Sequence, residues 1–94
     1  MSITVRIPTP LRKLTNELDT ITADESETLA QLIDVIEGQY PGLKERICDE
    51  TGELRRFVNV YVNGEDVRFL AGLDTALGDG DEVSIVPAVA GGAR

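Results

Sequence analysis

The sequence predicts an α+β fold in which one main helix packs across a mixed sheet of four to five strands. Apolar and polar residues alternate near both ends of the chain, and one amphipathic helical stretch lies between the strand-like segments. The predicted order is strand, strand, helix, strand, short strand, strand, which is neither a strictly alternating strand–helix pattern nor a pure meander. In such a fold the first and last strands can lie side by side at the centre of the sheet.

The first two strands are predicted to form a hairpin. Residues 2–7 alternate between polar and apolar side chains, and Pro8 and Pro10 then end the strand. The segment 9–16 is interpreted as a turn, and the weaker alternation of residues 17–23 predicts the second strand.

The main helix is predicted from an apolar stripe in the middle of the chain. Asp24 and Glu27 resemble a helix N-terminus, with Ser26 as a competing cap, so the helix should begin between residues 25 and 28. Pro41-Gly42 ends it, because proline disfavours helical geometry in the residue before it. The side chains of the stripe are Leu29, Leu32, Ile33, Ile36 and Tyr40.

The second half of the chain predicts one more helical turn and three strands. Residues 43–48 form the turn, and residues 57–62 form a strand that is buried on its valine face. Asn63-Gly64 is the strongest signal for a two-residue hairpin, because both central positions of a type I′ turn need a positive φ. A short strand is therefore expected around residues 66–69, and residues 82–87 form the last strand.

Length and charge limit the kinds of partner. The 94 residues suit one domain, 1–87, followed by a flexible C-terminal tail, 88–94. No apolar run approaches the roughly 20 residues of a membrane span, and the N-terminus does not resemble a secretory signal, so a cytoplasmic protein is expected. A net charge of −8 disfavours nucleic acid and anionic membranes as partners and favours a basic protein surface.

The absence of histidine and the single cysteine restrict the chemistry. Without histidine the usual Ser-His-Asp and Cys-His nucleophiles are missing, so no enzymatic activity of the chain's own is expected. One cysteine, Cys48, makes neither an internal disulfide nor a zinc or iron–sulfur site, so no metal is expected. Cys48 is interpreted as a small, partly buried side chain near a helix end.

The chain finishes with a strong strand that runs into a segment poor in side chains. That segment consists of Ala88, Val89, Ala90, Gly91 and Gly92. With the ββαββ order and the segments 56–69 and 86–92, it resembles the β-grasp, ubiquitin-like sulfur carriers of the MoaD/ThiS family, over residues 1–92. Within that family the chain looks most similar to the carriers that serve cysteine biosynthesis.

The resemblance implies chemistry at the carboxylate of Gly92. An adenylating enzyme of the MoeB/ThiF type would use ATP to convert this carboxylate to an acyl-adenylate. Sulfur from a donor such as a rhodanese-like protein would then displace AMP and leave a thiocarboxylate. In the cysteine branch a PLP-dependent cysteine synthase would take up the sulfur and a metal-dependent peptidase would release the product. The carrier itself would bind no cofactor.

The composition of the tail suits that chemistry. Residues 88–92 can span roughly 17 Å beyond the last strand, and glycine without a Cβ lets the backbone approach a nucleotide closely. Ala93-Arg94 follow Gly92, so its carboxyl group is held in an amide bond. We therefore expect a peptidase to cleave between Gly92 and Ala93 before activation. The alternative is that these two residues are an added tail that is not native.

Two surface features have competing interpretations. Phe57, Tyr61 and Val86 are predicted on the sheet face opposite the buried valines, where they either form a docking patch that orients the tail or merely cover the sheet. Three carboxylates either steer a basic partner or belong to a solvated turn, and the second interpretation is favoured. These carboxylates belong to Asp79, Asp81 and Glu82.

Other functions stay open besides sulfur donation for cysteine biosynthesis. The same carrier chemistry could supply molybdopterin, thiamine or secondary-metabolite synthesis. A ubiquitin-like modifier would instead join Gly92 to a lysine amine of a target protein. A purely structural adaptor would tolerate deletion of residues 91–94.

Overall fold

The computed structural model describes residues 2–24 and 26–87 and confirms the predicted α+β fold. The five strands are β1 (Ser2–Arg6), β2 (Thr20–Asp24), β3 (Val58–Val62), β4 (Glu65–Asp66) and β5 (Glu82–Pro87), and the two α-helices are α1 (Leu29–Gln39) and α2 (Leu43–Ile47). The strands form one mixed sheet in the order β2-β1-β5-β3-β4. This is the expected β-grasp arrangement.

The parallel pair of β1 and β5 forms the centre of the sheet, as predicted. Arg6 of β1 lies opposite Ser84 of β5, and β3 runs antiparallel to β5 with Val58 opposite Pro87. The ends of β1 and β5 and the start of β3 therefore lie at the same end of the sheet. We call this end, defined by Val58 and Pro87, the exit end, because the chain continues from it to residue 88.

The core lies between α1 and one face of the sheet. Because side chains alternate along a strand, every second residue of β1, β2, β3 and β5 points towards the helix. The predicted helical stripe is confirmed: Leu29, Leu32, Ile33 and Ile36 are each at most 3% exposed. Tyr40, the last residue of the stripe, follows the helix as its C-cap and is half-buried.

The connection between β1 and β2 is more structured than predicted. The segment interpreted as a turn contains a 3₁₀ helix, Thr9–Thr15, with Pro10 in its first turn, where a missing backbone N–H costs nothing. Asn16 and Glu17 follow it with φ of 57° and 66°, which is incompatible with a strand. The second strand therefore starts at Thr20 and not at residue 17.

The N-terminal cap of α1 also differs from the prediction. Thr28 is the N-cap, and not Asp24, Ser26 or Glu27. Its Oγ1 accepts a hydrogen bond from the backbone N–H of Gln31 at 3.3 Å. The Gln31 side chain in turn accepts one from the backbone N–H of Glu27 at 2.8 Å. A threonine followed three residues later by glutamine is a recognised start signal, and it outcompetes the acidic residues before it.

The hairpin after β3 is confirmed, but its second strand is shorter than predicted. Asn63 and Gly64 have φ of 52° and 89°, as a type I′ turn requires. β4 ends at Asp66, whose carboxylate accepts a hydrogen bond from the backbone N–H of Arg68 at 2.9 Å and so caps a 3₁₀ helix, Val67–Phe69. Because β4 is so short, it pairs only with the last two residues of β3.

Glu37 joins the end of α1 to α2. Its carboxylate accepts hydrogen bonds from the backbone N–H groups of Lys44 at 2.8 Å and Gly42 at 3.1 Å. These bonds favour the charged form, so they lower the pKa of Glu37, and the nearby Lys44 ammonium adds to the effect.

We expect the Glu37→Gln variant to lose less stability than the wild type as the pH falls. The pKa of Glu37 is lower in the folded than in the unfolded chain. Its contribution is therefore present above the unfolded pKa and is lost as the pH falls through the folded pKa. Urea midpoints measured between neutral and acidic pH test this. Glu50→Gln, at an exposed residue, is the control, and an identical acid sensitivity of the Glu37→Gln variant and the wild type would contradict the assignment.

Candidate functional site

Two of the predicted docking residues, Phe57 and Val86, lie at the exit end, next to Val58 and Pro87 in the chain. Pro87 is the last residue described there, and it pairs with Val58. The predicted reactive residue Gly92 and the predicted cleavage site Gly92-Ala93 follow it in the chain but lie outside the described residues. The same holds for the predicted binding residues Ala88, Val89, Ala90 and Gly91. The structure therefore describes the sheet surface next to Pro87, from which the chain continues to these residues.

The predicted docking residues are placed on the outer side of the sheet, as expected. Phe57, just before β3, is 68% exposed, and Val86, opposite Asn59, is 44% exposed. Tyr61 is half-buried and has polar neighbours on both sides, since it lies opposite Ser84 and Asp66. Their positions are confirmed, and their role in docking stays a prediction.

Arg68 organises the backbone around Phe57. Its Nη2 donates hydrogen bonds to the carbonyl oxygens of Arg55 at 2.8 Å and Val58 at 2.9 Å, which lie on either side of Phe57 in the chain. Its Nη1 donates to Oδ1 of Asn59 at 2.7 Å. The guanidinium group thus donates hydrogen bonds to acceptors at the start of β3, where β4 does not pair with β3.

The sequence analysis missed a second exposed aromatic side chain, Phe69, which lies next to Arg68 in the chain. Phe69 is 88% exposed and follows Arg68 directly, and Leu70 next to it is 44% exposed. The prediction of a strand through residues 66–69 would have buried alternate side chains there. The signal that could have corrected it is Asp66, a favoured N-cap residue, which begins a helical turn instead.

The three carboxylates at the opposite end of β5 have structural partners. Each carboxylate accepts a hydrogen bond from another segment of the chain, which supports the interpretation as a turn. The contacts are Asp79 Oδ1 with the backbone N–H of Ser2 at 2.8 Å, Asp81 Oδ1 with Nδ2 of Asn63 at 3.1 Å, and Glu82 Oε2 with Nε of Arg6 at 2.8 Å. A role in steering a partner stays a prediction.

Cys48 lies beside an open groove of about 450 Å³ but is not a candidate nucleophile. Its side chain is 3% exposed, and burial raises the pKa of the thiol, so the reactive thiolate is disfavoured. Lys44, which lines the same groove, is held by Asp34 at 2.7 Å. Among residues 2–24 and 26–87 there is no group of three or more His, Cys, Asp or Glu side chains that could hold a metal ion.

The helices in the described part of the chain are all too short or too polar to cross a membrane.

Comparison with known proteins agrees with this architecture. A model of the ThiS family matches residues 5–92. The sulfur carrier protein CysO of Mycobacterium tuberculosis is 51% identical, over 98% of this chain and 100% of its own length. Small archaeal modifier protein 3 of Haloferax volcanii is 44% identical, over 73% of this chain and 74% of its own.

A solved structure shows the same fold. The matching chain of the crystal structure of the Amycolatopsis orientalis BexX/CysO complex has a TM-score of 0.89 and 47% sequence identity, over 96% of this chain and 99% of that one. The resemblance noted from the sequence is thereby confirmed. The chain belongs to the ThiS family and is a small β-grasp sulfur carrier similar to CysO, not an enzyme in its own right.

Proposed function

We propose that this carrier is activated at the carboxylate of Gly92, carries sulfur there as a thiocarboxylate and donates it in cysteine biosynthesis. The observation that carries the proposal is the similarity to CysO over nearly the whole chain, together with a family match whose last residue is Gly92. Ala93-Arg94 lie beyond that match, which supports their removal before activation.

The proposed chemistry takes place on partner enzymes. A carboxylate is a poor electrophile, so a MoeB/ThiF-like enzyme transfers AMP from ATP to Gly92 and releases pyrophosphate. A persulfide on a rhodanese-like donor then attacks the acyl carbon and AMP leaves, which gives an acyl disulfide between donor and carrier. A second thiol of a partner protein attacks the donor's sulfur, so that a disulfide forms between these two thiols and the thiocarboxylate leaves. A PLP-dependent cysteine synthase uses that sulfur, and a metal-dependent peptidase frees the product from the carrier. Because activation consumes ATP, we place it in the cytoplasm.

The geometry of the exit end supports this proposal. β5 is paired on both sides, with β1 and with β3, and the pairing with β3 extends to Pro87. The acyl carbon of Gly92 is therefore five residues from a fixed point, a distance of at most about 17 Å. Ala88–Gly92 include no long side chain, so they fit a narrow channel. Phe57 and Val86 beside the exit end, together with Tyr61 further along β3, are proposed to dock the activating enzyme.

A ubiquitin-like modifier is the second candidate. The similarity to small archaeal modifier protein 3 favours it, and the activation step would be the same. The two functions differ in the nucleophile that attacks the activated Gly92, which is a sulfur atom for a carrier and a lysine amine for a modifier. Molybdopterin, thiamine and secondary-metabolite synthesis are alternative destinations of the sulfur.

Activation of Gly92 and sulfur transfer to it should change the mass of the carrier. We expect residues 1–92, incubated with ATP, a MoeB/ThiF-type enzyme and a persulfide donor, to gain the mass that replacement of one oxygen by sulfur adds. Intact-protein mass spectrometry measures this. Higher-mass conjugates on a denaturing gel without the thiocarboxylate would favour the modifier, and the absence of both products would refute activation at Gly92.

Activation should depend on the narrow width of the tail. We expect Gly91→Leu to lower the rate of ATP–pyrophosphate exchange by at least about tenfold, because the added side chain blocks a close backbone approach to the nucleotide. The melting temperature should not change, since residue 91 belongs to none of the five strands β1 to β5. Ala90→Gly is the control that leaves the tail thin. A normal exchange rate for Gly91→Leu would contradict the threading step.

Processing should remove the last two residues before activation. We expect protein isolated from its native cell to lack Ala93-Arg94, because the amide bond to Ala93 blocks adenylation of Gly92. Intact mass measures this, and the full chain should be activated in vitro only after cleavage. A full-length form that carries a thiocarboxylate would refute the requirement.

A further inference from the structure

We propose that Lys13 accepts the activated acyl group of Gly92 from a second copy of the chain, so that an isopeptide bond joins two carriers when no sulfur donor is present. Lys13 lies in the 3₁₀ helix Thr9–Thr15, away from the predicted docking residues. The inference rests on the proposed activation of Gly92, and it adds an acceptor site on the carrier's own surface.

The chain offers few nucleophiles to an activated acyl group. It has no histidine and one cysteine, and of its nine Lys and Arg residues only two, Lys13 and Lys44, are lysines. The remaining cations are arginines, whose guanidinium groups stay protonated and so have no lone pair for the attack. Hydroxyl groups of serine, threonine and tyrosine are weak nucleophiles without an adjacent base. The side chains to compare are therefore Lys13, Lys44 and Cys48.

The fold makes two of these three side chains poor acceptors. Cys48 is 3% exposed, and burial raises the pKa of its thiol, so the thiolate is both inaccessible and disfavoured. Nζ of Lys44 lies 2.7 Å from Oδ1 of Asp34. This hydrogen bond raises the pKa of Lys44, and since only the neutral amine attacks an acyl carbon, the reactive form of Lys44 becomes rarer.

Lys13 is the exposed amine that remains. Its side chain forms neither an ion pair nor a hydrogen bond with residues in the ranges 2–24 and 26–87, where the ion pairs are Arg6–Glu82 and Lys44–Asp34. Leu11 and Thr15, two positions before and after it, are 8% and 0% exposed. These buried neighbours anchor the 3₁₀ helix, so Lys13 is presented to solvent from a backbone that is held by the core.

The reaction needs only the acyl-adenylate and the neutral amine. Nζ of Lys13 attacks the acyl carbon of Gly92, a carbon–nitrogen bond forms, and the bond from that carbon to the phosphate oxygen of AMP breaks. AMP leaves with the bonding electron pair, and the proton lost by the amine goes to the solvent. No oxidant or reductant takes part. Attack by a persulfide on the same carbon is the competing reaction, so sulfur transfer and self-acylation exclude each other.

The reach of the tail explains why the acceptor belongs to a second copy. Residues 88–92 span at most about 17 Å from Pro87. A tail extended into the nucleotide pocket of an enzyme directs Gly92 away from its own sheet, and therefore away from its own Lys13. The Lys13 of another copy is under no such constraint, because it lies on an exposed helical turn at the end of a long side chain.

Activation without a sulfur donor tests the inference. The processed form, residues 1–92, is incubated with ATP and the MoeB/ThiF-type enzyme of the same genome. We expect a product with twice the mass of the carrier less one water, and peptide mapping by mass spectrometry should find the branch at Lys13. Addition of the persulfide donor should lower the yield of this dimer by at least about tenfold, because the stronger nucleophile consumes the acyl-adenylate.

Matched lysine-to-arginine variants assign the acceptor. Lys13→Arg keeps the charge but removes the nucleophile, and it should lower the dimer yield by at least about tenfold. Lys44→Arg keeps a cation beside Asp34 and is the control, which should stay within about twofold of the wild type. Combining Lys13→Arg with Asp34→Asn frees Lys44 from its ion pair and should restore part of the dimer, now branched at Lys44. Melting curves confirm that each variant is folded.

The outcomes separate this inference from the proposed function. An undiminished dimer yield from Lys13→Arg would overturn the inference. So would a wild-type branch at Lys44 or at the α-amino group of Met1, or a monomer that has lost one water. Absence of ATP–pyrophosphate exchange in the wild type would refute activation at Gly92 and the inference with it. Normal exchange without any dimer would refute Lys13 as an acceptor and leave the proposed function intact.

Discussion

The rest of the structure depends on the backbone pairing of β5 between β1 and β3. The parallel pair with β1 joins the two ends of the described chain, and the antiparallel pair with β3 holds β5 up to Pro87. Proline has no backbone N–H to donate, so it is suited to the position where a strand stops being paired. The point from which the chain continues towards Gly92 is therefore fixed by the sheet. Both the reach of the tail and the location of the proposed docking surface are therefore defined relative to Pro87.

Net charge alone describes this carrier poorly. The total of −8 led to the expectation of a basic partner, yet the carboxylates before β5 hydrogen-bond within the turn at the end of the sheet opposite the exit end. Arg56 and Arg68 lie at the exit end, near the start of β3. Charges interact with a docked partner mainly within a Debye length of about 8 Å, so the arginines affect docking more directly than the distant carboxylates do. The two arginines thus place positive charges at the exit end that the net charge does not reveal.

Local patterns predicted most of the fold, and long-range contacts account for what they missed. The alternation of β1 and β5, the stripe of α1 and the Asn63-Gly64 turn all depend on neighbours in sequence, and the structure confirms them. The cap at Thr28 and the early end of β4 at Asp66 also had local signals, but competing acidic and strand-forming residues obscured them. The hydrogen bonds of the Arg68 guanidinium have no local sequence signal, because their acceptors lie 9 to 13 residues away. These acceptors come together only after β3 and the 3₁₀ helix have formed. The two glycines at the tail could be recognised only through the resemblance to a family.

The exposure of both phenylalanines outside the core has a consequence for how this carrier works. The buried apolar residues are aliphatic side chains and Cys48, with no phenylalanine among those described. Stability therefore comes from the packing of leucine, isoleucine and valine between α1 and the sheet, whereas the large rigid side chains remain available for binding. A side chain that contributes little to the core can be substituted to fit a different partner with little loss of folding free energy. If several enzymes bind the carrier in turn at the same chain end, as proposed, the carrier benefits from this division, because the binding surface can then change independently of the stable core.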